Sequence, residues 1–236
     1  MKNILANIIF TKRCPFCGQV ILPYNDCCKR CFEILPVIKG SVCSKCGLPF
    51  VECSCKRETR EYDGLCAPFY YRNEALEAMK RFKFRGEKSI GEFFAKNMAQ
   101  RIKVCFPDKT FHMIVPVPLY KKKLRERGYN QSMILAKGIG EILKIPVCDV
   151  ISKDFDTQDQ HFTHASKREG NVAGVFSIID PELVRGKTIL LCDDIKTTGH
   201  TLNECTKMLK LWGAEKVYCV CACITPRSID KDNQLK

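Results

Sequence analysis

The chain has no run of apolar residues long enough to cross a membrane. Its 236 residues contain no segment approaching the ~20 apolar residues that a membrane-spanning helix requires. The mostly apolar stretch from Ile4 to Phe10 is short for the core of a secretory signal, and no small-residue cleavage site follows it. We therefore expect a cytoplasmic protein without a membrane span.

Two common nucleotide-binding patterns are also missing, and acidic residues are scarce. Neither the Walker A pattern nor G-x-G-x-x-G occurs, which excludes the usual P-loop and dinucleotide-binding sites. Lys and Arg number 39 against 26 Asp and Glu, so the formal net charge is +13. The apolar fraction of 45% is that of a globular protein and excludes wholesale disorder. A chain with this charge is attracted to polyanions, including nucleic acids.

Cysteine, in contrast, is abundant, because the chain has 17 cysteines. Eight of them form four close pairs: Cys14 and Cys17, Cys28 and Cys31, Cys43 and Cys46, Cys53 and Cys55. A Cys-x-x-Cys turn directs two thiolates toward one metal ion, so two pairs complete a tetrahedral Zn²⁺ site. We therefore predict two zinc ions. Four thiolates leave no open coordination position, which indicates a structural role for each ion.

The pairing of these cysteines is open at the level of sequence. Consecutive pairing gives a double zinc ribbon, which the short loops between successive pairs favour, whereas crossed pairing gives a cross-brace. Either Cys27 or Cys28 can be the ligand in the second pair, and the last pair is shortened to Cys-x-Cys. A redox Cys-x-x-Cys is the alternative to a metal site, but such a motif is expected singly beside a βαβ unit.

The composition and the periodicity of the sequence change near residue 60. Residues 1–60 are rich in Cys, Lys, Gly and Pro, whereas the rest alternates between helical and strand periodicities. Helices are predicted at 76–82, 90–105, 130–143 and 202–212, and buried strands at 113–118, 188–192 and 217–224. We therefore predict a zinc-binding module, residues 1–60, followed by an α/β domain, residues 61–236, with a parallel sheet covered by helices on both faces.

The segment from Ile189 to Thr201 is the most informative part of the sequence. A buried strand delivers Asp193 and Asp194 at its carboxyl end, and a loop of Thr and Gly residues then opens a helix. Ligands of α/β proteins bind beyond the carboxyl ends of strands. A helix N-terminus with nearby Thr hydroxyls can bind a phosphate, and adjacent carboxylates can accept hydrogen bonds from a sugar diol.

These thirteen residues resemble the phosphoribosyl pyrophosphate (PRPP) motif of type I phosphoribosyltransferases. The resemblance implies that fold, with Asp193 and Asp194 holding the ribose hydroxyls and Mg²⁺ bound together with PRPP. It also implies that the loop cradles the 5′-phosphate through Thr197, Thr198, Gly199, His200 and Thr201. Purine-salvage enzymes carry an Asp where Thr197 stands, so no general base is evident and the catalytic residues stay unassigned.

The order of further motifs resembles the ComF/GntX family of competence protein F-like phosphoribosyltransferases. After the cysteine pairs come KRFKFRG at 80–86, VPVPL at 115–119 and RGYNQ at 127–131, and then Thr157, Gln160, Arg168, Asn171 and Phe176. By this resemblance residues 116–131 form the pyrophosphate side of the pocket, with Arg127 in direct contact. The family implies handling of single-stranded DNA during natural transformation, with a competence helicase or recombination proteins as partners.

Two other functions are compatible with these motifs. A metabolic transferase would move ribose 5-phosphate onto a nucleobase, and a pure binding protein would use the fold only as a scaffold. The lysines at 121–123 either serve the phosphate site or form a solvated charged face. Phe16, Phe32 and Phe50 are expected to form the small core of the zinc module rather than stacking faces for single strands. Lys196 is expected to face solvent.

Overall fold

The computed structural model describes residues 12–53, 55, 59–153 and 176–226. Four residues of the family resemblance, Thr157, Gln160, Arg168 and Asn171, lie outside the described residues. Among the described residues, no helix is both long and apolar enough to cross a membrane. The boundary near residue 60 stays a prediction.

Five parallel strands form the central sheet: β1 (Gly64–Cys66), β2 (Phe69–Tyr70), β3 (Met113–Pro116), β6 (Thr188–Lys196) and β7 (Lys216–Ile224). Strand β6 lies between β3 and β7, and both β1 and β2 pair with the other side of β7. Two further strands, β4 (Ile151–Lys153) and β5 (Phe176–Ile178), form a separate antiparallel pair. The predicted parallel sheet is therefore confirmed.

Helices cover both faces of this sheet. The helices of the described residues are α1 (Lys29–Ile34), α2 (Asn73–Phe84), α3 (Lys88–Cys105), α4 (Lys121–Arg127), α5 (Gln131–Leu143), α6 (Pro181–Val184) and α7 (His200–Leu211). Helices α3 and α5 cover one face of the sheet, and α7 covers the other. Successive residues of β6 point to opposite faces. Leu190 belongs to the core with Phe94 of α3 and Ile139 of α5, whereas Leu191 belongs to the core with Leu209 of α7. A strand buried on both sides reads as a continuous apolar run, as the sequence of β6 does.

Strand β6 is longer than the sequence predicted. The apolar run ends at Cys192, but the strand continues to Lys196 because β7 pairs with it along that whole length. The two aspartates therefore lie within the last part of the strand, immediately before the threonine loop.

The aromatic residues of the N-terminal region do not form a common core. Phe16 packs edge-on against Phe93 of α3, with ring centroids 4.9 Å apart, as a core residue would. The side chains of Phe32 and Phe50 are 60% and 65% exposed, so the core expectation is wrong for both. Buried cysteines and aliphatic residues, including Ile38 and Leu48, fill the interior of this region instead. Its cores merge with those of the sheet rather than standing apart.

Candidate functional site

Two groups of four cysteine sulfurs come together in the N-terminal region. Cluster 1 contains Cys14, Cys17, Cys28 and Cys31, and cluster 2 contains Cys43, Cys46, Cys53 and Cys55. Within each cluster the sulfurs lie within 4.8 Å of one another. A tetrahedral site with Zn–S bonds of about 2.3 Å has sulfur–sulfur edges of about 3.8 Å. The 3.7 Å between Cys17 and Cys28 and the 3.5 Å between Cys43 and Cys55 are close to that value.

The two clusters are built on the same turn. In cluster 1 the amide of Gly18 donates to the carbonyl of Cys14 at 2.9 Å, and in cluster 2 the amide of Gly47 donates to the carbonyl of Cys43 at 2.8 Å. Both glycines have positive φ, +76° and +75°, which residues with a Cβ rarely adopt. Each cluster joins two consecutive pairs, as the sequence favoured, and the thiol chemistry supports two structural zinc ions.

The choice between Cys27 and Cys28 is decided by geometry, since only Cys28 joins cluster 1. Burial and the neighbouring thiols raise the pKa of Cys27 to about 11, so this thiol stays protonated. Burial also opposes ionisation of Cys14, but backbone N–H groups, first that of Cys28, outweigh it and lower the pKa to about 7. A thiolate at Cys14 is the form that binds a metal ion.

The second feature of interest is the acidic end of β6, where three elements meet. The hydroxyl of Ser132, at the start of α5, donates to Oδ1 of Asp193 at 3.0 Å, and the amide of Asp194 donates to the same oxygen at 2.8 Å. Lys83 of α2 places its Nζ 2.9 Å from Oδ2 of Asp194. The side chains of Lys83 and Asp194 are only 18% and 12% exposed, so this ion pair is largely buried.

The protonation of Asp193 reflects this burial. Loss of water and the charge of Asp194 raise the pKa of Asp193 to about 7, against hydrogen bonds from Asp194 and Ser132 and the charge of Lys83. A carboxyl group with such a pKa changes charge near neutral pH. Strongly shifted carboxyl groups at the carboxyl edge of a parallel sheet are typical of functional sites.

The threonine loop follows directly and opens helix α7. Thr197, Thr198 and His200 are exposed, and Thr201 is half-buried. Gly199 is buried with φ of +83°, and its carbonyl accepts from the amide of Asn203 at 3.0 Å, which starts the helix. The first amides of α7 and the Thr hydroxyls therefore stand at a surface that an anion can reach.

Arg127 lies beside the acidic site at the end of α4. Its Nη1 donates to Oε1 of Gln131 at 3.2 Å, and its guanidinium lies 5.2 Å from the ring centre of Phe84. Gln131 in turn donates to the carbonyl of Lys83 at 3.4 Å. Arg127 is thus tied to the segment that carries Lys83, but no contact between described residues joins it to the aspartates or the threonine loop. Lys121 and Lys122 of the same helix are exposed.

Lys196 does not face solvent as the sequence suggested, because it is only 4% exposed. Strand β6 continues through this residue, and its carbonyl accepts from the amide of Thr225 at 2.8 Å. A Cβ added to Gly199 would lie 3.1 Å from its Cε, so the lysine stem packs beneath the threonine loop.

The sequence did not identify Lys83 and Ser132 as site residues. Lys83 lies in the KRFKFRG motif and Ser132 follows RGYNQ, so both adjoin motifs that the family resemblance singled out. The spacing of those motifs along the chain does not show that Lys83 and Ser132 contact the same pair of carboxylates. Asn130 was predicted as the cap of α5, and it does cap the helix by accepting from the amide of Ser132 at 3.0 Å.

Two family models match the chain. The double zinc ribbon domain matches residues 5–68, and the phosphoribosyl transferase domain matches residues 128–235. The first range contains both cysteine clusters, and the second contains the acidic strand end and the threonine loop.

Curated relatives match over most of their own length. Competence protein ComFC of Bacillus subtilis is 28% identical over 200 residues, which cover 80% of this chain and 80% of ComFC. Competence protein F of Haemophilus influenzae is 27% identical over 219 residues, 88% of this chain and 95% of that protein. The DNA utilization protein YhgH of Escherichia coli is 26% identical over 198 residues, 78% and 85% respectively. The chain therefore joins a double zinc ribbon domain to a phosphoribosyl transferase domain, and over most of its length it is similar to the ComF-type competence proteins.

Proposed function

We propose that this protein binds PRPP with Mg²⁺ at the acidic end of β6 and handles single-stranded DNA in the cytoplasm during natural transformation. The observation that carries the first part is the position of two carboxylates, the half-buried Asp193 and the buried Asp194, directly before an exposed, threonine-rich helix N-terminus. The names of the relatives support the second part, since they refer to competence and to DNA utilization.

In the PRPP site, each group has a distinct task. Asp193 and Asp194 accept hydrogen bonds from the ribose hydroxyls, and residues 197–201 surround the 5′-phosphate with amides and hydroxyls. Lys83 offsets the charge of the two aspartates, so that both carboxylates stay close together without a bound ligand. Arg127 lies on the side of the pocket proposed for the pyrophosphate group. Carboxylate and phosphate oxygens are the ligands that Mg²⁺ prefers, so the donor set fits this ion.

A thermal-shift titration with PRPP and Mg²⁺ tests this site. A ligand that binds only the folded state raises the melting temperature by mass action. Asp193→Asn and Asp194→Asn should each weaken binding about tenfold or more, because hydrogen bonds to charged groups are worth about 1.5–3 kcal/mol. Thr198→Val should weaken binding by removing a phosphate donor at nearly constant volume. Asp108→Asn, at an exposed carboxylate away from the site, is the control. Equal PRPP binding by wild type and both site variants would refute the assignment.

DNA binding is supported by charge and by exposed aromatic rings. The net charge of +13 attracts polyanions, and helix α4 exposes Lys121 and Lys122. Phe32 and Phe50 present exposed rings on which single-stranded bases can stack. These features favour single-strand binding over the metabolic alternative, for which no general base is evident at Thr197.

Single-strand affinity measured across a salt series tests the DNA proposal. Counterion release makes affinity fall steeply with salt, so replacing the lysines at 121–123 with Gln should flatten the slope. A triple variant with the same charge change at the exposed Lys103, Lys109 and Lys137 is the matched control. If wild type binds no DNA even at low salt, the DNA proposal fails. Turnover with a panel of nucleobases would then support the metabolic function.

A further inference from the structure

The second cysteine cluster is joined to the threonine loop by residues 59–63, which we call the strap. Tyr62, at the centre of the strap, is only 5% exposed. Its hydroxyl donates to the carbonyl of Lys45 at 2.5 Å, and Lys45 lies inside the turn between Cys43 and Cys46. The same hydroxyl would lie 3.8 Å from a Cβ added to Gly199. Tyr62 therefore stands between the cluster 2 turn and the backbone of the threonine loop.

The strap also holds the loop and the first turn of α7 directly. Arg60 donates from Nη2 to the carbonyl of Thr198 at 3.3 Å. The amide of Glu61 donates to Oδ1 of Asn203 at 2.9 Å. Two consecutive strap residues thus contact Thr198, in the loop proposed to bind the phosphate, and Asn203, in the first turn of α7.

The C-terminal end of the strap, at Asp63, is held by ion pairs and a hydrogen bond. Asp63 lies 3.0 Å from Lys210 at the end of α7 and 3.2 Å from Lys216 at the start of β7. It also accepts from the amide of Val217 at 2.9 Å. A displacement of the strap therefore requires a displacement of α7, the helix that begins at the threonine loop.

The cluster 2 turn itself packs tightly against the sheet. A Cβ added to Gly47 would lie 2.5 Å from Cδ1 of Ile224 and 3.2 Å from Cγ of Leu65. The turn thus packs against the last residue of β7 and the middle residue of β1, and the hydroxyl of Tyr62 binds it at the carbonyl of Lys45.

Cluster 1 makes a different set of contacts. Its turn receives hydrogen bonds from Arg81 of α2 at the carbonyls of Pro15 and Phe16, and Asp26 forms an ion pair with Lys96 of α3. Within the part of the chain that the structure describes, no hydrogen bond or ion pair joins cluster 1 to residues 197–203. The two clusters therefore differ in their relation to the proposed PRPP site.

We propose that Tyr62 and Arg60 are positioning residues that hold the threonine loop against the second cysteine cluster, so that PRPP affinity depends on cluster 2 and not on cluster 1. This inference rests on the proposed PRPP binding at the loop. A phosphate site built from exposed hydroxyls and backbone amides binds more tightly when its backbone is held in place before the ligand arrives. The strap provides that restraint through its hydrogen bonds to the carbonyl of Thr198 and the side chain of Asn203.

The test compares PRPP affinities, by calorimetry with Mg²⁺, of variants that remove single contacts. Tyr62→Phe deletes one hydroxyl and keeps the ring, and Arg60→Gln deletes the donor to Thr198. Each should weaken PRPP binding about three- to tenfold, the range expected for one lost hydrogen bond. Tyr24→Phe, at an exposed tyrosine, and Arg13→Gln, which removes a donor to the carbonyl of Gly18 in the cluster 1 turn, are matched controls that should bind like wild type.

A second measurement separates positioning from general loss of structure. Hydrogen exchange of the amides of residues 198–203 should be faster in Tyr62→Phe than in wild type without ligand, while exchange in β6 and the zinc content stay unchanged. Cys46→Ser should weaken PRPP binding as much as Tyr62→Phe does, but the loss of a clustered cysteine can also unfold the module. Tyr62→Phe keeps all eight clustered cysteines, so this variant decides whether the strap positions the loop. Normal PRPP affinity and normal exchange in Tyr62→Phe and Arg60→Gln would overturn this inference alone. Absence of PRPP binding by wild type would overturn the proposed function and this inference with it.

Discussion

Replacing Lys83 with Met tests the ion pair that holds the acidic end of β6. The Nζ of Lys83 lies 2.9 Å from Oδ2 of Asp194, and the two side chains are 18% and 12% exposed. Removing one partner of a buried ion pair leaves an uncompensated charge, which costs about 3–5 kcal/mol in the free energy of unfolding. Because this pair keeps some contact with water, we expect about 3 kcal/mol. For a protein of this size that is a fall of about 6–12 °C in melting temperature.

The double variant Lys83→Met/Asp194→Asn distinguishes this cause from a general packing defect. It removes both charges, so no unpaired buried carboxylate remains, and most of the lost stability should return. Lys80→Met is the matched control on the same helix. Lys80 lies 2.9 Å from Glu77, but those side chains are 52% and 66% exposed, so the melting temperature should hardly change.

Thermal denaturation followed by circular dichroism measures all four proteins. The reasoning is refuted if Lys83→Met has the same melting temperature as wild type, or if the double variant is less stable than Lys83→Met. Either result would mean that Asp194 is not held as an unpaired buried charge when the lysine is absent.

The remaining predictions concern pH, metal and the threonine loop. Acidification from pH 8 to 6 should stabilise the ligand-free protein through Asp193, because its pKa is raised from 3.8 to about 7 and only the folded state takes up this proton in that range. PRPP affinity should fall over the same range, and calorimetry should find both effects absent in Asp193→Asn. Elemental analysis should find two zinc ions per chain, and chelation should unfold the cysteine clusters while the sheet persists; anaerobically prepared protein without zinc would contradict this. Gly199→Ala should cost about 1–2 kcal/mol from backbone strain alone, plus the contact with Lys196. Gly186 has φ of +68° and open space around it, so Gly186→Ala should lose stability from backbone strain alone. If Gly186→Ala and Gly199→Ala lose the same free energy of unfolding, the contact with Lys196 has no cost.

Much of the local structure could be predicted from the sequence, because its signals lie within short windows. The spacing of Cys14 and Cys17 and of Cys43 and Cys46 indicates the metal-binding turns, which need no distant partner to form. Asn130 marks the start of a helix because its side chain caps the amide two residues ahead. Apolar runs predicted β3, β6 and β7, since strands buried on both faces have no polar side.

The contacts around the proposed site were decided by tertiary structure. Ser132 and Asp193 are 61 positions apart, and Arg60 and Thr198 are 138 positions apart. Residues at such separations meet only because β6 lies between β3 and β7, which brings α2, α5 and the strap to the same edge of the sheet.

Exposure could not be inferred from residue type for the same reason. Lys196 is buried because β6 continues under the threonine loop, whereas Phe32 and Phe50 are exposed because the module fills its interior with cysteines and aliphatic side chains. The sequence alone determined which residues form each turn, helix and strand, since these depend on neighbours along the chain. The order and pairing of the parallel strands decided which of these residues share a site, since that depends on contacts that no short window of sequence contains.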